Sequence, residues 1–171
     1  MNSYGLSVLP YDAPKAAEYA KKWAFERNPA YYDFHGLGGD CTNFISQCLY
    51  AGSGVMNFTP ETGWYYLSLN SRAPAWTSAR YLNRFLLNNQ GAGPFAVSSS
   101  IGTIVPGDVV QLKSESGQIY HSLLAVKADR AAVPGQILVA AHTYDALNRP
   151  LNSYSYYEAV FLHIGGVRDY R

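Results

Sequence analysis

Two cysteines in 171 residues are too few for a disulfide framework. Charge is scarce and balanced, 13 basic against 12 acidic side chains for a net of +1. That balance gives no electrostatic basis for recognising nucleic acid or an anionic membrane. No apolar run approaches the length of a membrane span. The opening Met1-Asn-Ser-Tyr-Gly-Leu6 lacks the basic start and apolar stretch of a signal peptide. Either the protein stays inside, or an export segment lies outside this chain. There is no internal repeat and no low-complexity linker, and the length suits a single domain over 1–171 with a real core. What is abundant is tyrosine, 15 residues, a composition that suits polar-aromatic binding grooves.

The most informative stretch is residues 39–48, Gly39-Asp-Cys-Thr-Asn-Phe-Ile-Ser-Gln-Cys48. Here a glycine-rich loop (Gly36, Gly38, Gly39) gives way to an apolar-periodic helix, and Cys41 falls in its first turn. The positive end of a helix dipole favours thiolate over thiol, and the thiolate is the nucleophile. Cys48 is about 10 Å further along the same helix, too far for a disulfide or a shared zinc. Cys41 therefore reads as a lone reactive thiol and Cys48 as a packed residue. Asp40, just before the thiol, serves either as the helix N-cap or as a contact for a substrate ammonium. Thr42, Asn43 and Gln47 read as structural residues on or near the polar face.

Along the chain, Asp12-Ala-Pro14 opens a first helix, with Ala16, Ala20, Trp23 and Ala24 as its apolar stripe and Asn28-Pro29 as its end. The thiol helix buries Phe44, Ile45, Cys48 and Leu49 and stops at Gly52. A third helix is expected over 75–89, broken by Gly91-Ala-Gly93-Pro94. The pattern then changes to period two, with strands at 109–113, 119–127, 136–143 and 154–164. Helices followed by an antiparallel sheet predict an α+β domain.

A thiol nucleophile needs a base, and the base needs an orienting group. Of His35, His121, His142 and His163, two are placed to serve. His121 opens one strand and His142 closes the next. If the two strands form a hairpin with Lys127 opposite Gln136, His121 lies directly across from His142 on one sheet face. Asp145 and Asn152 are alternatives for the third position. Asp145 would stabilise an imidazolium more strongly, but it falls where a turn residue is equally expected.

These residues together resemble the bacterial putative amidase domain family, a branch of the papain-like, NlpC/P60-type cysteine hydrolases. The resemblance runs roughly from Tyr11 to Ile164. It rests on the Ala-Glu-Tyr-Ala-Lys-Lys-Trp-Ala string, Arg27-Asn-Pro-Ala-Tyr31, the 39–48 stretch and Ala51-Gly. The Trp64 and Trp76 regions, Pro106-Gly-Asp-Val-Val-Gln, His121-Ser and His142-Thr-Tyr-Asp145 complete it. It implies N-terminal helices carrying the nucleophile, packed on a C-terminal antiparallel half-barrel carrying the base. Cys41 matches the nucleophile, His121 the base, and His142 the third polar residue.

A tyrosine upstream of the thiol often helps to bind the oxyanion in such proteins. Tyr31 is the matching residue, with Tyr32 adjacent, and the Cys41 amide is the second donor. No glutamine precedes Cys41, a departure from a strict papain-like oxyanion hole.

The implied reaction is hydrolysis of an amide through an acyl-enzyme on Cys41, with no metal or other cofactor. The implied substrate is a peptide or peptidoglycan fragment, and the implied setting is the bacterial cell envelope, the secreted fraction or the spore. Asp40, Trp64, Tyr65 and the nearby Tyr66 and Trp76 are candidates to line a substrate groove, or else to pack the core. Two other readings use the same chain: a non-catalytic envelope or spore binding module, and acyl transfer to an amine instead of water.

Overall fold

The computed structural model describes residues 5–170. Helix α1 (Ala13–Trp23) starts as its sequence dictates. Asp12 accepts from the Lys15 N–H, proline sits in the first turn, and Ala16, Ala17 and Ala20 form the buried stripe. Helix α2 (Cys41–Ser53) is the centre of the molecule. Even its polar residues Thr42, Asn43, Ser46 and Gln47 are buried, so the expected polar face is absent. It runs past Gly52 and is capped by Gly54, whose N–H donates to the Tyr50 carbonyl. Gly52 has a packing role instead. A Cβ there would lie 2.5 Å from the Tyr11 ring and 2.7 Å from the Asp12 carbonyl, so the segment leading into α1 packs directly on the bare backbone of α2.

The expected third helix is two: α3 (Pro74–Thr77) and α4 (Ala79–Asn88), divided at Ser78, which is extended. Trp64, Trp76 and Phe85 stack in the layer between these helices and α2, and Ser46 holds two of them through the Trp64 Nε1 and the Trp76 carbonyl. β2 (Tyr66–Ser68) and β3 (Ser71–Arg72) form a small separate hairpin.

The main sheet is antiparallel, in the order β1-β9-β5-β6-β7-β8, with β4 also paired to β9. Its strands are β1 (Leu6–Leu9), β4 (Gly93–Ser98), β5 (Val109–Lys113), β6 (Ile119–Lys127), β7 (Leu138–Ala141), β8 (Ala146–Pro150) and β9 (Glu158–Tyr170). Strands β5 and β6 match their expected bounds, whereas β1, β4 and β8 were not anticipated. Gly93-Pro94, read as a break, opens β4; this strand pairs only with β9, and an edge position tolerates proline.

The sheet has two buried faces. Val109, Leu124, Val126, Ala140 and Leu162 pack with the helices. Val110, Leu112, Leu123, Ala125, Val139 and Ala141 pack on the other side against Ile104, Ile137 and Leu151 from the connecting segments. The fold is thus α+β, and all strands of the main sheet except β1 follow the helices.

One expectation is corrected here. Lys127 pairs with Leu138, not Gln136; Leu124 pairs with Ala140 and Ala125 with Val139, with a register shift between Ala125 and Lys127. Gln136 belongs to a 3-10 turn over Pro134–Gln136, where its Oε1 accepts from the Ala132 N–H. Continued past its last pair, this register sets Ser122, not His121, across from His142. Because side chains alternate along a strand, a one-residue slip sends His121 to the opposite face.

Candidate active site

Gly38 and Gly39 turn the chain into α2 with φ of +86° and +104°, values that L side chains rarely adopt. Cys41 is the first residue of the helix and is partly exposed. Cys48, by contrast, is fully buried, and burial pushes its thiol well above the ordinary range. That residue is inert packing. Both cysteines are free.

Asp40 occupies the N-cap position, but its side chain does not cap the helix. The carboxylate is buried and turned inward. Oδ1 accepts from the Phe34 N–H at 2.9 Å and from Asn43 Nδ2 at 2.8 Å. Oδ2 accepts from His142 Nδ1 at 2.5 Å. The backbone N–H groups of Cys41, Thr42 and Asn43 consequently have no acceptor among the described residues, while the Asp40 N–H donates to Thr143 Oγ1. Unpaired N–H groups at a helix start form a concentrated site for negative charge.

His142 is 1% exposed and stacks flat on Phe44, ring centroids 3.8 Å apart. Its Nε2 faces the Trp23 carbonyl at 2.8 Å, with Arg27 Nη1 at 3.3 Å. Both ring nitrogens are therefore engaged, and neither reaches Cys41 or His121. Arg27 completes this cluster with a two-pronged contact to Asp145 at 2.9 and 3.0 Å. Its Nε lies 3.3 Å from Asp33 and 3.6 Å from Asp40. Burial disfavours the guanidinium charge, but Asp145, Asp40 and Asp33 outweigh it and raise the Arg27 pKa. Burial alone would raise the Asp33 carboxyl, yet the His35 N–H and Arg27 carry it below its ordinary range. Asp145 thus serves Arg27 and makes no contact with an imidazole.

His121 lies on the sheet face away from α2, across from Leu112 and 5.8 Å from the Tyr154 ring. Burial, with the Arg149 cation nearby, depresses its pKa to about 4, so the ring is neutral at neutral pH. Among the described residues its nitrogens have no hydrogen-bond partner. Its neighbour Ser122 points the other way and meets Thr42 Oγ1 at 3.0 Å. Gln111 Nε2 donates to the same Ser122 hydroxyl at 3.1 Å, and Gln111 Oε1 accepts from Asn83 of α4. This chain of polar contacts ties the first turn of α2 to the start of β6. The sulfur of Cys41 has one polar neighbour, Thr42 Oγ1 at 3.7 Å, and neither His121 nor His142 hydrogen-bonds it.

The remaining candidates are dispersed. Tyr31 packs between Tyr66 and Trp76, and burial with Tyr50 and Tyr66 raises its hydroxyl to about 12, so it stays protonated. Its segment is held beside α2 by Asn43 Nδ2, which donates to the Tyr32 carbonyl. Trp64 is wholly buried, as is Trp76, and the Tyr65 ring lies tilted against Phe58, centroids 5.4 Å apart. Asp40, also wholly buried, presents no surface to a substrate ammonium. His163 donates through Nδ1 to Asp108, a carboxylate that also accepts the N–H groups of Val105 and Ile164 and so braces the Pro106-Gly-Asp turn. His35 is exposed, and Asn152 packs on Gly135.

The chain is 38% identical over 146 residues to the uncharacterized protein YhbB of Bacillus subtilis (strain 168), covering 83% of this chain and 44% of the relative. It is 26% identical over 171 residues to the uncharacterized protein YjcM of the same organism, covering 95% of this chain and 38% of the relative. The chain therefore spans less than half the length of these curated relatives. No solved structure matches. No helix among the described residues is long and apolar enough to cross a membrane. The model of the family described as "Putative amidase domain" matches residues 10–164, nearly the whole chain, and the chain belongs to that family.

Proposed function

We propose that this domain cleaves an amide bond through a thioester formed on Cys41. One observation carries the reading. Cys41 begins α2, and the N–H groups around it stay uncapped because His142 holds the Asp40 carboxylate inward.

In the proposed reaction His121 is the base, since it is neutral and its nitrogens are uncommitted. Because His121 lies on the face of β6 away from α2, this reading requires the backbone at the start of β6 to turn over, a step that precedes the chemistry. It takes the thiol proton as sulfur attacks the carbonyl carbon. The N–H groups at the start of α2 hold the oxyanion, with the protonated Tyr31 hydroxyl as a further donor. The resulting imidazolium gives its proton to the leaving amine. His121 then deprotonates the water that releases the acid. His142 acts through Asp40, as a positioning residue and not as the partner of His121. A peptide of the bacterial envelope, peptidoglycan stem peptides included, is the substrate class; this and the envelope, secreted or spore setting rest on the family resemblance.

A second reading, a binding module without turnover, is favoured by the lack of any imidazole bonded to the sulfur. Iodoacetamide alkylation of Cys41 across pH 5–9, in the parent and in His121→Ala, separates the two. A rate at pH 7 that falls at least tenfold in the variant supports the enzyme. Equal rates, with no amine released from peptidoglycan fragments by the parent, overturn it. Product analysis with and without an added amine distinguishes hydrolysis from acyl transfer.

A further inference from the structure

A groove separate from the Cys41 site is lined by the 57–62 segment, the start of α3, and α4 with the loop that follows it. Its volume is about 910 Å³, near the upper end of the range for ligand sites. A shallower recess of about 510 Å³ adjoins it, sharing Asn57, Thr59 and Gly91. Neither includes a residue of the Cys41 site.

The floor is apolar, made by Phe85 and Ala75, which are 6% and 3% exposed. The walls are rich in carboxamides: Asn57, Asn88, Asn89 and Gln90. Three of these are committed to the fold, Asn88 through its Nδ2, which donates to the Arg84 carbonyl at 2.7 Å. Asn89 donates to the Ala92 and Pro94 carbonyls and accepts from the Gly91 N–H. Asn57 Oδ1 accepts from the Thr59 N–H, but its Nδ2 makes only one long contact, 3.4 Å to Asn89. Gly91 stands directly over that donor; a Cβ there would lie 3.0 Å from Asn57 Nδ2. Gly91 does not adopt a left-handed φ, so its backbone does not demand glycine. The missing side chain keeps a buried carboxamide donor open to the groove. Tyr81, 41% exposed, offers a ring on the α4 wall. Arg84 and Glu61 carry one charge of each sign, and neither is in an ion pair among the described residues.

The geometry points to a binding site for a neutral acetamido sugar, such as an N-acetylhexosamine oligomer. An acetamido group presents one N–H and one carbonyl, the complement of a carboxamide, and its methyl suits the Phe85–Ala75 floor. Hydroxyls suit the threonine and amide rim, and a sugar's C–H face suits the exposed ring of Tyr81. Opposed single charges and neutral amides favour neither a phosphate nor a polyanion. This site does not depend on the Cys41 chemistry.

The test is an NMR titration of the ¹⁵N-labelled protein with the N-acetylglucosamine tetramer, and with cellotetraose, which lacks the acetamido group. The tetramer is expected to shift the Tyr81, Gln90 and Gly91 amides. Affinity should fall at least tenfold in Gly91→Val and in the surface variant Tyr81→Ala, and stay unchanged in Cys41→Ala. Absence of shifts at millimolar tetramer, shifts confined to the Cys41 region, or equal binding of cellotetraose would overturn the assignment.

Discussion

His142 Nδ1 and Asp40 Oδ2 meet at 2.5 Å, and that contact decides how α2 begins. An aspartate at the N-cap would ordinarily satisfy the first N–H groups of the helix and offset its positive end. Here the carboxylate is drawn under the helix, where Phe34, Asn43 and His142 share it, and Cys41 is the first residue of the uncapped helix.

Removing the imidazole tests this arrangement. In His142→Ala the Asp40 carboxylate loses a buried partner and Phe44 loses its stacked ring. Breaking a buried pair in this way costs about 3–5 kcal/mol, read as a lower urea midpoint. The freed carboxylate should also rotate onto the helix, so alkylation of Cys41 at pH 7 should slow. His142→Asn, whose Nδ2 can replace Nδ1 as donor, should recover most of the alkylation rate without recovering all the stability. A purely structural role for His142 would leave alkylation unchanged in both folded variants.

His121 gives the fold a pH dependence of calculable sign. Its folded pKa, near 4, lies below the ordinary value of 6.5. Between these values the unfolded chain binds more protons than the native one, so stability rises with pH across this window. The stabilisation is complete above about pH 6.5 and lost as pH falls through 4, with a span on the order of 3 kcal/mol. Urea midpoints of the parent should climb from pH 4 to 6.5. His121→Phe should flatten that climb; an unchanged slope would mean that other groups set it.

The sequence revealed some of this more readily than the rest, for physical reasons. Strands β5 and β6 were legible because their side chains alternate between two buried faces. Strand β4 was hidden by its opening Gly93-Pro94, and β8 by the turn-like Asp145-Ala-Leu-Asn-Arg149, in which Asn148 takes a φ of +57°. Cys41 was legible because glycines precede a periodic apolar run. The partnership of Asp40 with His142 was not, because aspartate before a helix reads locally as a cap, and only tertiary packing brings position 142 beneath it. The hairpin register failed on one residue: Gln136 was spent in a 3-10 turn, a local event with no period-two signature. Arg27, Ser122 and Gln111 were visible only as parts of larger motifs, since a buried network leaves no sequence periodicity.

The link from α2 to β6 predicts a stability effect at Ser122. Its hydroxyl is buried and joins Thr42 Oγ1 to Gln111 Nε2. In Ser122→Ala both partners lose that contact without gaining access to water. The expected loss is about 1–3 kcal/mol, measured by denaturant unfolding. Ser122→Thr, which keeps the hydroxyl, should lose less. If Ser122→Ala proves neutral, the network does not anchor the first turn of α2.

The turn between β7 and β8 stores strain that can be released. Thr143 and Tyr144 adopt φ of +58° and +62°, a conformation that glycine and asparagine tolerate far better. Thr143 has a compensating contact, since its Oγ1 accepts the Asp40 N–H and Gly39 packs against it. Tyr144 is 84% exposed, so no burial offsets its strain. Tyr144→Gly should therefore raise stability by about 1 kcal/mol, whereas Thr143→Gly should lower it, because the lost contact with Asp40 outweighs the relief. Unfolding midpoints of the two variants should move in opposite directions. Parallel shifts would show that the turn is held by its strands alone, and that Thr143 contributes nothing to placing the loop that delivers Cys41.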